Sequence, residues 1–399
     1  MSQPTLLVGQ SGGPTAVINS TLAGVLAEAA RQPAIERVLG LRHGVEGLLA
    51  EEWLDLTDAD PSLIAGLRRT PSAALGASRH RLGDDDLERA LAVLRRHDVR
   101  YLVLIGGNDT ADTTARLGQA AAAAGYPLQA VAAPKTIDND LPATDHCPGY
   151  GSAARYLAVA VQQSALDTSA LRRAAPVKFV EVMGREAGWV AAAAALGRPS
   201  PAGPPHLVYL PERPVAVETV LGDIQAACRE HGYAVVVISE NQTEPTPDGG
   251  SRVLGAEGEP EWVDPFGHAY YASPAIYLSR RLRGTLGIQS RYDRPGSIQR
   301  ADTLLVSPVD EREAYAVGRA AVRAAIRGQG GHMVTLQRAP DGPYRCTTGL
   351  APVSAVANQT RLLPPEFMGP SASEPITPAF AAYATPLLGG LLPDYVRLL

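Results

Sequence analysis

Leu128-Gln129-Ala130-Val131-Ala132-Ala133-Pro134-Lys135-Thr136-Ile137-Asp138-Asn139-Asp140 passes from an apolar run into a charged loop within a few residues. The apolar part, 128–133, reads as a buried strand, and its near-continuous hydrophobicity fits a parallel sheet covered on both faces. The charges arrive where such a strand emits its loop, the edge at which open parallel sheets bind ligands. Asp138 and Asp140 lie two residues apart, and Lys135 stands three residues before the first of them. Such a cluster can hold a proton acceptor, bind a metal ion and counter a phosphate within one turn of chain. The lysine is itself informative. Of 36 basic residues only Lys135 and Lys178 are lysine, which suggests that a compact ammonium is wanted here and not a planar fork. A surface turn with a local ion pair would have the same composition, so the rest of the chain decides.

Bulk properties narrow the class. A chain of 399 residues is too long for one simple core, so two domains are expected. It is 45% hydrophobic, with 36 basic and 41 acidic residues and a net charge of −5, as a soluble globular protein should be. No basic run or basic–aromatic stripe points to nucleic acid, and 5% aromatic content argues against a platform for stacking bases. No uninterrupted apolar stretch reaches membrane-spanning length and no signal-peptide pattern opens the sequence, so no membrane partner is expected. Cys147, Cys228 and Cys346 are odd in number and widely spaced. They indicate neither a disulfide framework nor a zinc site, and a reducing cytoplasm is the expected compartment.

The strand–loop–helix unit recurs along the chain. Thr5-Leu6-Leu7-Val8-Gly9 predicts a first strand, followed by the loop Gln10-Ser11-Gly12-Gly13-Pro14-Thr15 and a helix over about 16–30. Paired glycines between a strand and a helix can form an anion site, because small residues expose backbone N–H groups and the helix start adds positive potential. A second strand is expected over 38–42, and the polar segment 75–81 reads as a loop able to reach a phosphate or simply as a solvated one. An amphipathic helix is predicted over 84–97, with acidic residues in its first turn. Tyr101-Leu102-Val103-Leu104-Ile105 is the next strand, ending in Gly106-Gly107-Asn108-Asp109-Thr110 and a helix to about 124. Asp109 could be an N-cap there, but with the Asp cluster one strand later it suits a magnesium–phosphate site, where one or two carboxylates share the ion with substrate oxygens.

Beyond the opening motif, Ser152 is a candidate N-cap for a helix over 153–165, and the Pro/Gly content near 149 marks a domain crossover. His146 and Cys147 invite a dyad reading, which sequence adjacency disfavours. A strand over 177–182 leads into Met183-Gly184-Arg185-Glu186-Ala187-Gly188-Trp189, where Arg185 could grip a phosphate bidentately. Strands over 206–210 and 234–239 follow, the latter ending at Glu240, whose carboxylate suits sugar hydroxyls. Residues 241–265 lack periodicity and read as an excursion or lid. Helices are expected over 270–283 and 311–327 and a strand over 332–337. Between them Arg291-Tyr292-Asp293-Arg294-Pro295-Gly296-Ser297-Ile298-Gln299-Arg300 is rich in arginine, and beyond 339 the sequence gives little periodic signal.

One set of loops is glycine-rich and acidic (Gly12, Gly13, Gly107, Asn108, Asp109, Asp138, Asp140), and the other carries Arg185, Glu240, Arg291 and Arg300. That division suggests Mg²⁺ and a polyphosphate on one side, a phosphorylated polyol on the other, and phosphoryl transfer between them. No GxxxxGK[ST] sequence is present, so P-loop chemistry is excluded. The ordered set SGGP, GGNDT, PKTIDND, MGREAGW, the strand ending at Glu240, and PGSIQR resembles the phosphofructokinase superfamily, and within it the pyrophosphate-dependent 6-phosphofructokinases, over roughly residues 5–335.

The resemblance implies two Rossmann-like three-layer α/β domains with mainly parallel sheets facing across an active-site cleft. Residues 1–148 plus about 300–338 would bind pyrophosphate and Mg²⁺, 149–299 would bind the sugar phosphate, and 339–399 would be an extension of unassigned role. It also implies the reaction of MgPPi with fructose 6-phosphate to give fructose 1,6-bisphosphate and phosphate, reversibly, in glycolysis and gluconeogenesis, by a homodimer or homotetramer. Asp138 would be the base for the sugar 1-hydroxyl, supported by Asp140, with Thr136 beside the transferring group. Gly12, Gly13, Gly107, Asn108, Thr110 and Lys135 would meet the donor, and Asn108 and Asp109 the metal. Met183, Gly184, Arg185 and Glu240 would hold the sugar phosphate, with Arg291 and Arg300 on its 6-phosphate, from different subunits if the enzyme is oligomeric.

Donor choice would turn on Asp109 and Lys135, where ATP-using relatives carry glycine, usually so at the second position. A carboxylate at 109 would repel a nucleotide α-phosphate, and an ammonium at 135 would neutralise leaving phosphate. Three positions depart from relatives: Asn108 replaces an Asp, Ser297 a His, and Pro176 an Arg used between subunits. Two alternatives stay open: an ATP-dependent or mixed-donor kinase, including one for sedoheptulose 7-phosphate, and a non-catalytic phosphometabolite-binding subunit.

Overall fold

The computed structural model describes residues 4–256, 260–265, 267 and 269–398. In chain order it lays down β1 (Thr5–Gln10), β2 (Arg37–Leu41), β3 (Trp53–Asp55), β4 (Val99–Gly106) and β5 (Gln129–Pro134). Then come β6 (Val177–Val182), β7 (Leu207–Tyr209), β8 (Ala234–Ser239), the hairpin strands β9 (Thr243–Pro245) and β10 (Ser251–Val253), β11 (Trp262–Val263), β12 (Ala269–Tyr270) and β13 (Ser290–Asp293). The chain closes its strands with β14 (His332–Arg338) and β15 (Cys346–Pro352).

Two units result. The first takes in the chain up to Ile137, then Leu141–Tyr150 and Arg300–Arg361; the second takes Asp138–Asp140, Gly151–Gln299 and the chain from Leu362 onward.

In the first unit the sheet order is β15-β14-β5-β4-β1-β2-β3. The five central strands are parallel, and the edge strands β3 and β15 are antiparallel to their neighbours. The strand alternation explains why both faces are covered. Leu6, Val8, Val103, Ile105, Val131 and Ala133 enter one core with the helix Ile18–Ala29. Leu7, Leu39, Leu102, Leu104 and Ala130 enter another with Leu94 and Leu117. Successive residues alternate between the two cores, so the strands read as continuous apolar runs.

The helices Ile18–Ala29 and Pro308–Ile326 pack backbone to backbone at two glycines. A Cβ on Gly24 would collide with the Tyr315 carbonyl, and one on Gly318 with the Thr21 carbonyl. Ser307, with Pro308 behind it, caps the second of these helices by accepting from the Val309 and Asp310 N–H groups, each at 3.3 Å. The helix therefore starts three residues before the predicted 311.

In the second unit the sheet order is β13-β6-β8-β7, all parallel. Phe179, Leu207, Tyr209, Val236 and Ile238 pack with the helices Val217–His231 and Pro274–Leu286. The second of these begins at the Ser273 cap, a few residues after the predicted start at 270. Ser152 is no cap: its helix, Tyr150–Leu171, begins two residues earlier. The chain is committed there by the Thr136–Gly149 bridge and by Asp310 accepting the Gly149 N–H at 2.8 Å.

The segment beyond 339, which shows no periodicity, contains structure in both units. β15 completes one sheet edge, while Trp189, Phe367, Phe380 and Tyr383 form an aromatic cluster in the second unit. Among the described residues, no helix is long and apolar enough to cross a membrane.

Candidate active site

Three strands of the first unit end at one place. The loop after β1 turns at Gly12, whose φ of +71° suits a residue without a side chain. Its neighbour Gly13 leaves room for the Arg300 guanidinium, with which any Cβ there would collide. Lys135, leaving β5, is 3% exposed and donates from Nζ to the Gly13 carbonyl at 2.8 Å. Its backbone N–H reaches back to Gly106 O at 2.8 Å. The ammonium is thus walled in by two of the loops.

The loop after β4 is shaped by a side chain that sequence reading placed only as a donor contact. Thr110 is 4% exposed and folds beneath Gly106, where a Cβ would strike its hydroxyl. Asp109 stands half-buried in the first turn of the helix Asn108–Ala123. It is not the N-cap; that position is Gly107, with no side-chain hydrogen bond. Asn108 has both ends of its amide engaged: Nδ2 donates to Gln359 O at 2.5 Å and Oδ1 accepts from Asn358 N at 2.6 Å. The 75–81 segment, legible as a solvated loop, is a brace. Gly12 N–H donates to Ser78 O at 3.1 Å, as does the Ser11 hydroxyl at 3.1 Å, and Ser78 is buried on Glu46.

The Asp138–Asp140 loop belongs to the second unit. Asp138 and Asp140 are half-buried and Asn139 between them is fully buried. The Asp140 Oδ1 atom is buried with no hydrogen-bond partner among the described residues, an oxygen set up for a ligand or cation.

The second unit also holds a cavity of about 920 Å³ lined by Arg185, Glu212, Glu240, Asn241, Arg252 and Tyr270 among others, a size suited to a phosphorylated sugar. Arg185 adopts φ +50° after Gly184 at +135°, a strained turn that suits a functional site. Its carbonyl is held by the Ser239 hydroxyl at 3.1 Å, and Met183 N–H donates to Gln299 Oε1 at 3.3 Å. Burial pushes the Glu240 carboxyl above its usual range, against the pull of the Arg185 and Gly184 N–H groups that it accepts and of the Arg185 charge. Glu212, a residue the sequence reading passed over, accepts from Gly188 N at 2.7 Å and Leu363 N at 2.8 Å and is likewise raised by burial.

A phosphofructokinase family model matches residues 5–325. The chain belongs to the phosphofructokinase family. It is 40% identical to the pyrophosphate–fructose 6-phosphate 1-phosphotransferase of Xanthomonas campestris pv. campestris (strain B100), over 98% of this chain and 93% of that one. It is 37% identical to the enzyme of the same name from Halomonas elongata, over 98% and 93%. The crystal structure of the pyrophosphate-dependent phosphofructokinase from Nitrosospira multiformis superposes with a TM-score of 0.87 at 33% identity, covering 100% of this chain and 95% of that one. The phosphofructokinase fold expected from the ordered motifs is therefore the fold observed.

Of the sugar-phosphate candidates in this phosphofructokinase, Arg185 and Glu240 line the 920 Å³ cavity, whereas Met183, Gly184, Arg291 and Arg300 are not among its lining residues. Arg291 on β13 pairs with Asp167 at 2.7 Å, beside Lys178 and Asp293, and Arg300 lies at Gly13. His146 and Cys147 do diverge. Cys147 enters an apolar cluster with Leu141 and Met333, while His146 is clamped between Asp145 and Glu313, each at 2.7 Å. Those two carboxylates raise the imidazole pKa despite complete burial, whose desolvation is the largest influence and opposes them. Glu313 lies 167 residues away in sequence, so the clamp leaves no local signal.

Proposed function

We propose that this phosphofructokinase transfers a phosphoryl group from MgPPi to the 1-hydroxyl of fructose 6-phosphate, giving fructose 1,6-bisphosphate and phosphate, and that it runs in both directions. The observation that carries the donor assignment is the buried Lys135 ammonium on the Gly13 carbonyl, at a position where ATP-using relatives usually have glycine. In this reading Gly12, Gly13 and Gly107 admit the diphosphate close to backbone, Thr110 shapes the β4 loop, and Lys135 neutralises the phosphate that departs. Asp109 places a negative charge where a longer nucleotide would need room for its own.

The acceptor is held through Met183, Gly184, Arg185 and Glu240, with Thr136 beside the transferring group. Arg291 and Arg300 are assigned to the 6-phosphate within a homodimer or homotetramer. Asp138 takes the proton of the 1-hydroxyl as its oxygen attacks phosphorus and the bridging P–O bond breaks; Asp140 supports it. The oxygen donors of Asp109 and Asn108 fit a hard cation, and Mg²⁺ is assigned there; the free lone pair of Asn108 Oδ1 is what its Asn358 contact leaves over. When bound, the cation spreads the charge of the diphosphate. The proposed compartment is the cytoplasm.

The test is to supply purified enzyme with fructose 6-phosphate, Mg²⁺ and pyrophosphate and to follow bisphosphate formation. Product with pyrophosphate supports the proposal. Sugar-phosphate binding by calorimetry without turnover on any donor would leave a binding subunit instead.

A further inference from the structure

Between the two carboxylates of the Asp138–Asp140 loop stands a residue with no role in the chemistry above. Asn139 is 0% exposed and adopts φ +55°, the left-handed region that asparagine tolerates better than most side chains. Its Nδ2 donates to the Tyr383 hydroxyl at 2.9 Å, 244 residues further along the chain. Tyr383 lies on the short helix Pro378–Ala384, capped by Thr377. Its ring stacks on Phe367 with centroids 5.2 Å apart and an interplanar angle of 29°, and lies 5.5 Å from the buried Trp189 ring.

Those aromatics fix the hydroxyl in place, and the surrounding tail is fastened at several further points. Arg155 donates to Leu388 O at 2.9 Å and Gly390 O at 3.2 Å, and Val208 N–H donates to Ala372 O at 2.8 Å. A loop carrying a catalytic carboxylate on either side of one residue turns as a body when that residue turns. Holding Asn139 therefore holds both neighbours.

We infer that Tyr383 is a positioning residue for the Asp138–Asp140 loop, acting through Asn139, so that the C-terminal tail serves catalysis in the same chain. The inference rests on the reading of Asp138 as the base. A base must lie within hydrogen-bond reach of the proton it takes, and a displacement near 1 Å is costly in rate.

The experiment is a double-mutant cycle with steady-state kinetics and pH profiles, each protein assayed well below its own melting temperature. Tyr383→Phe removes only the hydroxyl, and Asn139→Gly removes the amide while keeping the left-handed backbone open to the chain. Each should lower kcat about tenfold, the larger share of what one hydrogen bond contributes. KM for both substrates should stay within about twofold, since positioning acts on the transition state. The combined variant should lose no more than either alone, and the acidic limb of kcat against pH should move in all three. Unchanged kcat and pH profile in Tyr383→Phe, or losses that multiply in the combined variant, would overturn the inference. Asp138→Ala serves as the control: full activity there would reject the base assignment itself, a different failure.

Discussion

Replacing Lys135 by methionine keeps the volume and apolar stem of the side chain and deletes only the charge. In the folded protein that charge is 3% exposed and 2.8 Å from the Gly13 carbonyl, and Nζ stands 3.2 Å from where a Gly12 Cβ would lie. A phosphate oxygen bound at this loop would receive a charge-assisted hydrogen bond of about 1.5–3 kcal/mol. At 1.36 kcal/mol per decade that is a loss of roughly 10- to 150-fold in kcat/KM for pyrophosphate. Fructose 6-phosphate should bind Lys135→Met as before. Lys135→Arg should not rescue, because the planar guanidinium has no space beside Gly12 and Gly13 and already meets Arg300 there. Initial rates over a pyrophosphate series, with circular dichroism and a urea titration to confirm folding, give the answer. Wild-type kcat/KM for pyrophosphate in a folded Lys135→Met protein would refute the reasoning.

Asp138→Ala should cut the forward rate by about 10²–10⁴, as expected for loss of a general base, without unfolding the protein; rate and melting curve together check it. Gly318→Val should destabilise the first unit by at least about 3 kcal/mol in urea, because its side chain would enter the Thr21 backbone and push the helices Ile18–Ala29 and Pro308–Ile326 away from each other. His146 gives a pH dependence. Its folded pKa is raised by Asp145 and Glu313, so its stabilisation is complete below the unfolded value near 6.5 and disappears as pH rises through the folded value. Urea midpoints across that range should fall with pH in the wild type and fall less steeply in His146→Gln; parallel curves would reject the clamp.

Much of the fold was legible because its strands are buried on both faces. Leu102 and Leu104 serve one core while Val103 and Ile105 serve the other, and the result is an apolar run that no surface element shows. The loops after β1, β4 and β5 were legible for a related reason: glycines and charges at a parallel strand's end have few structural uses. Other regions leave no such trace. β15 is an edge strand with mostly half-exposed residues, among them Thr348, Gly349 and Leu350, so its alternation is faint. Ser78 looked solvated because its partners, Gly12 and Glu46, are distant in sequence. Glu212 is an ordinary loop acid until Gly188 and Leu363 close on it. The bond from Asn139 to Tyr383 spans most of the chain, and nothing periodic in 339–399 announces it. Strands and the loops they emit were readable; long-range bracing was not.

A donor loop built for a diphosphate is the central claim, and the ratio of kcat/KM for pyrophosphate to that for ATP, measured on one preparation with saturating fructose 6-phosphate and Mg²⁺, probes it without intermediaries. A carboxylate at Asp109 set against a nucleotide phosphate, at the ~3 kcal/mol or more that like charges cost at close range, predicts a ratio of at least about 100. A ratio of one or below would contradict it.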